Sequence, residues 1–187
     1  MKTINNYINE KLHITSKQQY SCQPTAKNEL REIIIQRIEE DGPDCYLNDI
    51  DVSKINDMSH LFDAGNWAYG NKIFKDFNGD LSKWNVSNVT NMWCMFYGCK
   101  KFNCDISRWD VSKVEDMDRM FKGCEQFNCN ISKWNTSSVK DMFEMFKNCK
   151  NFNCDLSDWN VSKVEYIEYM KDAFKNCPTK PKWYKGK

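Results

Sequence analysis

Ten cysteines are the residues best able to do chemistry in this 187-residue chain. Six of them form two series of constant spacing. Cys99, Cys124 and Cys149 are each followed, with four residues between, by Cys104, Cys129 and Cys154. Cys22, Cys45, Cys94 and Cys177 stand outside that scheme. Three chemistries fit a C-x4-C pair written three times. A free thiol packs as a small apolar group. Neighbouring parallel strands lie about 4.8 Å apart, within the roughly 4.4–6.8 Å Cα separation that a disulfide spans, given an oxidising compartment. Two pairs on adjacent units would also supply the four thiolates of a tetrahedral zinc site. There is no C-x2-C, and His13 and His60 are far from both series in sequence. Buried or half-buried free thiols are therefore the expectation, with disulfides and zinc as the open alternatives.

Catalytic chemistry finds little support. Asp80, Asp105, Asp155 and Asp110 recur at repeated positions, which suits turn formation rather than a unique acid–base pair. There is no P-loop, GxSxG or HExxH motif. Seven glycines leave little for phosphate-cradling loops, and no histidine neighbours a cysteine to activate it. The expectation is a non-enzyme with no catalytic residue, metal, cofactor or small-molecule substrate.

Binding chemistry is better represented. Lys83, Arg108 and Lys133 follow Ser82, Ser107 and Ser132 in successive units, and Asp158 breaks the series. If the apolar residues beside them point inward, this row points outward. It would be either a protein-binding face or a solvated face that prevents edge pairing. The segment 63–76 adds nine residues to its unit and carries Trp67 and Tyr69. Such insertions are places for binding, or the rings fold back onto the core. The tail PTKPKWYKGK has four lysines and no acid. It is expected to fray or to plug the array's end rather than to bind nucleic acid.

The elements that must hold these residues come from a repeat. Phe77, Phe102, Phe127 and Phe152 open four units of 25 residues, and Trp84, Trp109, Trp134 and Trp159 sit at one position within them. A period of that length indicates stacked structural repeats. Each unit reads as a short strand (FNCDISRW) and a short helix. The helical stripe is Val114, Met117, Met120, Phe121 and Cys124, with Ser112 or Ser162 as N-caps. No single unit buries enough apolar surface to stand alone, so the units must share a core. The predicted fold is thus α/β: a leucine-rich-repeat-like solenoid of short parallel strands and short helices, with an N-terminal capping helix.

The pattern FN-x-D-[IL]-S-x-W-[DN]-V-S-x-V-x-x-M-x-x-MF-x-x-C resembles the BspA-like leucine-rich-repeat surface proteins, the 25-residue repeat first catalogued in mycoplasmas. The likeness covers about residues 44–177. It implies a leucine-rich-repeat-like solenoid, cell-surface or adhesive roles in many members, and no enzyme activity. Cys104, Cys129 and Cys154 depart from the Gln or Gly of many relatives.

Three segments follow: a leader and capping helix over 1–43, the repeats over 44–177 with a degenerate first unit at 46–62, and the basic tail over 178–187. Ile4, Tyr7, Ile8 and Leu12 allow a short helix in the leader. The capping helix spans 25–41, with Thr25 as its cap, Leu30, Ile33, Ile34 and Ile38 as its apolar stripe, and Gly42 and Pro43 as its stop. Val164, Ile167, Met170, Ala173, Phe174 and Cys177 suggest a longer closing helix. The net charge of +1 gives no general pull toward nucleic acid or acidic lipid. The longest apolar run, Ile33–Ile35, is far too short to span a bilayer. The first residues lack the apolar stretch of a signal peptide. An intracellular location is the expectation, with a cell or virion surface as the alternative. The expected role is a non-enzymatic module that binds an unidentified protein, with a structural or adhesive surface component as the alternative.

Overall fold

The computed structural model describes residues 20–65, 68–165 and 172–184. Among them are one α-helix, α1 (Lys27–Asp41), and one short 3-10 segment (Lys72–Asp76). Isolated parallel bridges, Asp57 to Asn91, Asn91 to Asp116 and Asp116 to Asp141, fall in the segments expected to be helical, and Asp80 bridges to Tyr46 in a segment expected to be a strand. The α/β solenoid of strands and helices is therefore wrong. No sheet forms, and no repeat contains a helix among the described residues.

Three local causes displace the expected elements. First, Asp and Asn side chains turn the chain at regular intervals. Asp105, Asp110 and Asp116 accept from the backbone N–H of Ser107, Ser112 and Asp118 at 3.0, 3.1 and 2.8 Å. Asn130, Asn135 and Asp141 repeat the device with Ser132, Ser137 and Phe143. Such local bonds compete directly with helix and strand. Ser112 and Ser162, the expected N-caps, are instead the N–H donors of these turns to Asp110 and Asn160.

Second, backbone bonds close four-residue turns, for example from the N–H of Val114 to Val111, Met120 to Met117, Cys124 to Phe121 and Phe127 to Cys124. Both ends of each turn face inward, so buried residues recur at intervals of three and mimic a helical stripe. Third, Cys94, Arg119 and Glu144 hold left-handed φ values of 53, 53 and 52°, and Gly98 and Gly123 hold 76 and 82°. A left-handed residue interrupts any helix or strand that passes through it.

Backbone groups freed from regular structure bond between repeats. The N–H groups of Met117, Arg119, Phe121 and Gly123 donate to the carbonyls of Asp141, Phe143, Met145 and Lys147, at 2.9, 2.8, 3.0 and 2.8 Å. Those of Met92, Cys94, Phe96 and Gly98 donate in the same way to Asp116, Asp118, Met120 and Lys122. Each rung is thus a polygon of turns tied to its neighbours by alternate amides.

Aromatic columns run through the stack. Phe77, Phe102, Phe127 and Phe152 are spaced 6.2, 5.9 and 5.6 Å between ring centroids. A second column, Phe62, Phe96, Phe121, Phe146 and Phe174, is spaced 5.2, 5.8, 5.7 and 5.2 Å. The two columns touch at 4.0 Å between Phe96 and Phe102. Trp84 stacks on Trp109, and Trp134 on Trp159. Each indole N–H donates to a carbonyl of the preceding rung: Leu47, Leu81, Ile106 and Ile131 in turn. These rings are core, with their one polar atom satisfied.

Both ends are covered. Helix α1 buries Leu30, Ile33, Ile34 and Ile38. It starts at Lys27 with Ala26 before it and no side-chain cap; Thr25 bonds to the Glu29 carboxylate instead. At the other end Phe174 continues the second phenylalanine column. Trp183, in the tail expected either to fray or to plug the array's end, donates to the Leu156 carbonyl at 2.8 Å and so takes the next place in the indole series. Residues 172–177 form turns, not the last part of a long helix. Ile167 and Met170, and the leader helix through Ile4 to Leu12, lie outside the described residues.

Candidate functional site

Two surfaces gather side chains that can bind. The first is the row at Lys83, Arg108, Lys133 and Asp158, all exposed. Each lies between a buried aliphatic residue (Leu81, Ile106, Ile131 or Leu156) and a buried tryptophan. The backbone beneath is pinned by the Asx turn to the preceding serine. The four side chains are therefore presented one rung apart, with three positive and the last negative. None of the four joins an ion pair among the described residues.

Tyr69, 66% exposed, belongs to a different place, and Trp67 lies outside the described residues. Tyr69 lines a cleft of about 460 Å³ with Lys27 and Arg31 of α1, Ser59, His60 and Trp93. His60 takes a left-handed φ of 56° and is 9% exposed. Its Nδ1 is 2.6 Å from Asp63 Oδ2. Asp63 is fully buried, and its other oxygen accepts from the Gly65 N–H at 2.7 Å. The imidazole packs edge-on to Trp93, at 4.5 Å between centroids, and tilted to Tyr69, at 5.1 Å. His60 Nε2 has no hydrogen-bond partner among the described residues.

Two cations frame the cleft. Lys27 Nζ contacts Asp57 Oδ2 and Ser59 Oγ, both at 2.7 Å. The Arg31 guanidinium donates to the carbonyls of His60, Leu61 and Tyr69 and lies over the Phe74 ring. Burial lowers its pKa, against the opposing pull of Asp63, and no carboxylate pairs with it among the described residues.

With this geometry in hand, the repeats can be placed. Residues 66–183 match the family model of a Mycoplasma protein of unknown function, DUF285. The chain belongs to that family. No curated protein and no solved structure matches the chain. The DUF285 segment contains the whole exposed row, together with Tyr69 and Trp93; Lys27, Arg31, Ser59 and His60 precede it. The cleft is thus built where the family's repeats meet the N-terminal region.

Reasoning from the sequence missed His60, Asp63, Trp93 and the two cations of α1. One signal was available. His60 occupies the left-handed position that Cys94, Arg119 and Glu144 hold in later rungs, so the residue type varies where the backbone repeats. Nothing in the spacing indicated that α1 would bring Lys27 and Arg31 to that position.

All ten cysteines are free thiols. Cys99, Cys124, Cys149 and Cys177 each donate to the carbonyl of a phenylalanine one rung back, Phe62, Phe96, Phe121 and Phe146, at 2.9, 3.0, 3.0 and 2.7 Å. This thiol series runs parallel to the indole series and likewise satisfies buried backbone. Cys129 and Cys154 face Asp105 and Asn130 at 3.6 and 3.4 Å. Burial, helped by nearby Asp80 and Asp105, pushes Cys104 and Cys129 up to about 11. Full burial pushes Cys124 and Cys149 up as well. Thiols held in this state are poor nucleophiles and poor metal ligands at neutral pH. Among the described residues, no three His, Cys, Asp or Glu side chains gather as a metal site.

Proposed function

We propose that this chain is a non-enzymatic protein-interaction module, which uses the exposed row of its repeats as the contact face. The observation that carries the reading is Lys83, Arg108 and Lys133 at one rung position, in no ion pair among the described residues, on a backbone kept in register by the Asx turns and the indole-to-carbonyl bonds. A row of like charges in register steers an acidic protein surface toward it. Asp158 marks one end of the basic row and gives the contact a direction.

The test is capture from the native source followed by mass spectrometry, comparing wild type with the triple variant Lys83→Glu, Arg108→Glu, Lys133→Glu. The row is solvent-exposed, so the variant should keep its thermal midpoint while losing the captured partner. A partner retained at the same yield by the triple variant would remove the row from the reading.

A second reading makes the chain a structural or adhesive surface component. Its support is the repeat motif, which resembles the BspA-like surface proteins; the finer kinship to them is part of this proposal. Sedimentation separates the two: a structural component forms assemblies by itself, whereas an interaction module stays monomeric until its partner is added. No helix among the described residues is long and apolar enough to cross a membrane.

A further inference from the structure

We infer that the cleft between α1 and the first rungs is a binding site for a small ligand made of one aromatic ring and one anionic group. Four independent observations converge there. The cleft is about 460 Å³, within the roughly 300–1,000 Å³ typical of small-molecule sites. Three large hydrophobic side chains are exposed in the described chain, namely Tyr46, Tyr69 and Trp93, and two of them line this one cleft. Exposed aromatic rings on either side of a recess offer stacking and edge-to-face partners for a third ring.

The polar half of the ligand follows from His60 and the cations. Asp63 engages Nδ1, so Nε2 is the nitrogen left over, buried and without a hydrogen-bond partner among the described residues. A buried polar atom left unsatisfied is costly, and a ligand atom would relieve it. Nε2 is then the imidazole atom open to a polar atom of the ligand, while the positive charge that an anionic oxygen would meet belongs to Arg31 and Lys27. Arg31 donates to carbonyls and makes no ion pair among the described residues, although the Asp63 charge acts on it; Lys27, at the cleft's edge, is already held by Asp57 and Ser59. A neutral ligand would leave the Arg31 guanidinium without an anionic contact, and an anion without a ring would leave Tyr69 and Trp93 uncovered. The ring-and-anion chemistry has two natural sources, a free aromatic acid or the carboxylate of a peptide that ends in an aromatic residue.

The experiment is a titration followed by NMR on the full chain, reading the indole N–H of Trp93 and the imidazole C–H of His60. The probes are indole-3-acetate, an N-acetylated tripeptide ending in tryptophan, and indole-3-acetamide as the uncharged control. At least one acid should produce saturable shifts at both residues and bind at least about tenfold more tightly than the amide, a difference of about 1.4 kcal/mol. Which acid binds more tightly identifies the source. Trp93→Ala removes one wall at an exposed position. His60→Asn removes Nε2 while keeping a residue type that tolerates left-handed backbone. Each should weaken the acid at least about tenfold while circular dichroism shows the chain still folded. The inference is overturned if neither acid shifts these signals up to about 10 mM, near the weakest binding a specific site gives. It is overturned equally if the amide binds as well as the acids, or if both variants bind like wild type.

Discussion

Asp118 keeps a carboxylate where the stack gives it little water. Its Oδ1 is buried without a hydrogen-bond partner, and Oδ2 meets Arg119 at 2.6 Å. Burial pushes its pKa up to about 7; Arg119 opposes this, and Asp141, Asp116 and Glu144 add to it. Arg119 cannot hold the acid down alone, because it also pairs with Glu144. An acid with a raised folded-state pKa binds its proton more tightly folded than unfolded. Between its ordinary value, near 4, and about 7, the folded state therefore carries the extra proton, and stability falls as pH rises through that window. Asp118→Asn removes the titration and retains an acceptor for Arg119. The variant should match wild type near pH 4 and exceed it at pH 8 by about 1–2 kcal/mol, less than the full linkage value because part of the group is solvated. Chemical denaturation of both proteins at the two pH values checks this. A variant-minus-wild-type difference that is the same at both would show that Asp118 ionises normally.

At the scale of elements, α1 is the piece whose own ends do least to hold it. It has no side-chain N-cap, and its last turn, with Glu39, Glu40 and Asp41, contains no basic residue. The helix dipole is therefore uncompensated there. What holds α1 is its buried stripe, Leu30, Ile33, Ile34 and Ile38, together with Arg31 reaching the carbonyls of His60 and Leu61. Ile34→Ala, at a fully buried position, should cost about 2–4 kcal/mol, while Glu32→Ala on the exposed face should be near neutral. Urea unfolding of the two variants distinguishes a helix that seals the core from one that merely rests on it; equal midpoints would favour the latter.

The same comparison shows why the sequence revealed one element and concealed the rest. Four buried aliphatics at helical spacing, ended by Gly42 at φ 88°, can be read directly as α1. Val114, Met117 and Met120 display nearly the same periodicity, yet their rung is a run of turns. Hydrophobic spacing cannot tell a turn every third residue from a helix of period 3.6. The evidence that decides between them was in the polar residues: Asp105, Asp110 and Asp116, each placed to accept from the N–H two positions on. The row was legible only as polar residues set between apolar ones: strict alternation would put Arg108 on the face of Ile106, and it is exposed because Ser107 and Arg108 form the corner of the turn that the Trp109 N–H closes on the Ile106 carbonyl. The cleft was not legible, because it depends on Lys27 meeting Asp57 across the chain.

Taken whole, the molecule is a one-dimensional lattice in which each internal rung does the same job for its neighbours. Phenylalanine, tryptophan and cysteine series, the Asn78–Asn103–Asn128–Asn153 side-chain-to-backbone bonds and the alternate amides all repeat with the 25-residue period. Removing one full period should therefore preserve every register. Deleting residues 102–126 brings Phe127 to the place of Phe102, Trp134 to that of Trp109 and Cys149 to that of Cys124, with both end-covering regions untouched. The shortened chain should fold cooperatively, with its circular dichroism unchanged in shape and its thermal midpoint lowered, since one rung and one interface are lost. Deleting 102–114 instead removes half a period. It would set Asx turns against phenylalanine positions and leave the amides without aligned carbonyls, so this chain should fail to fold. The pair of deletions separates a lattice held by register from a core held by composition, because the second loses fewer residues yet should suffer more. If the half-period deletion unfolds as cooperatively as the full one, the rung-to-rung bonds are not what fixes the stack.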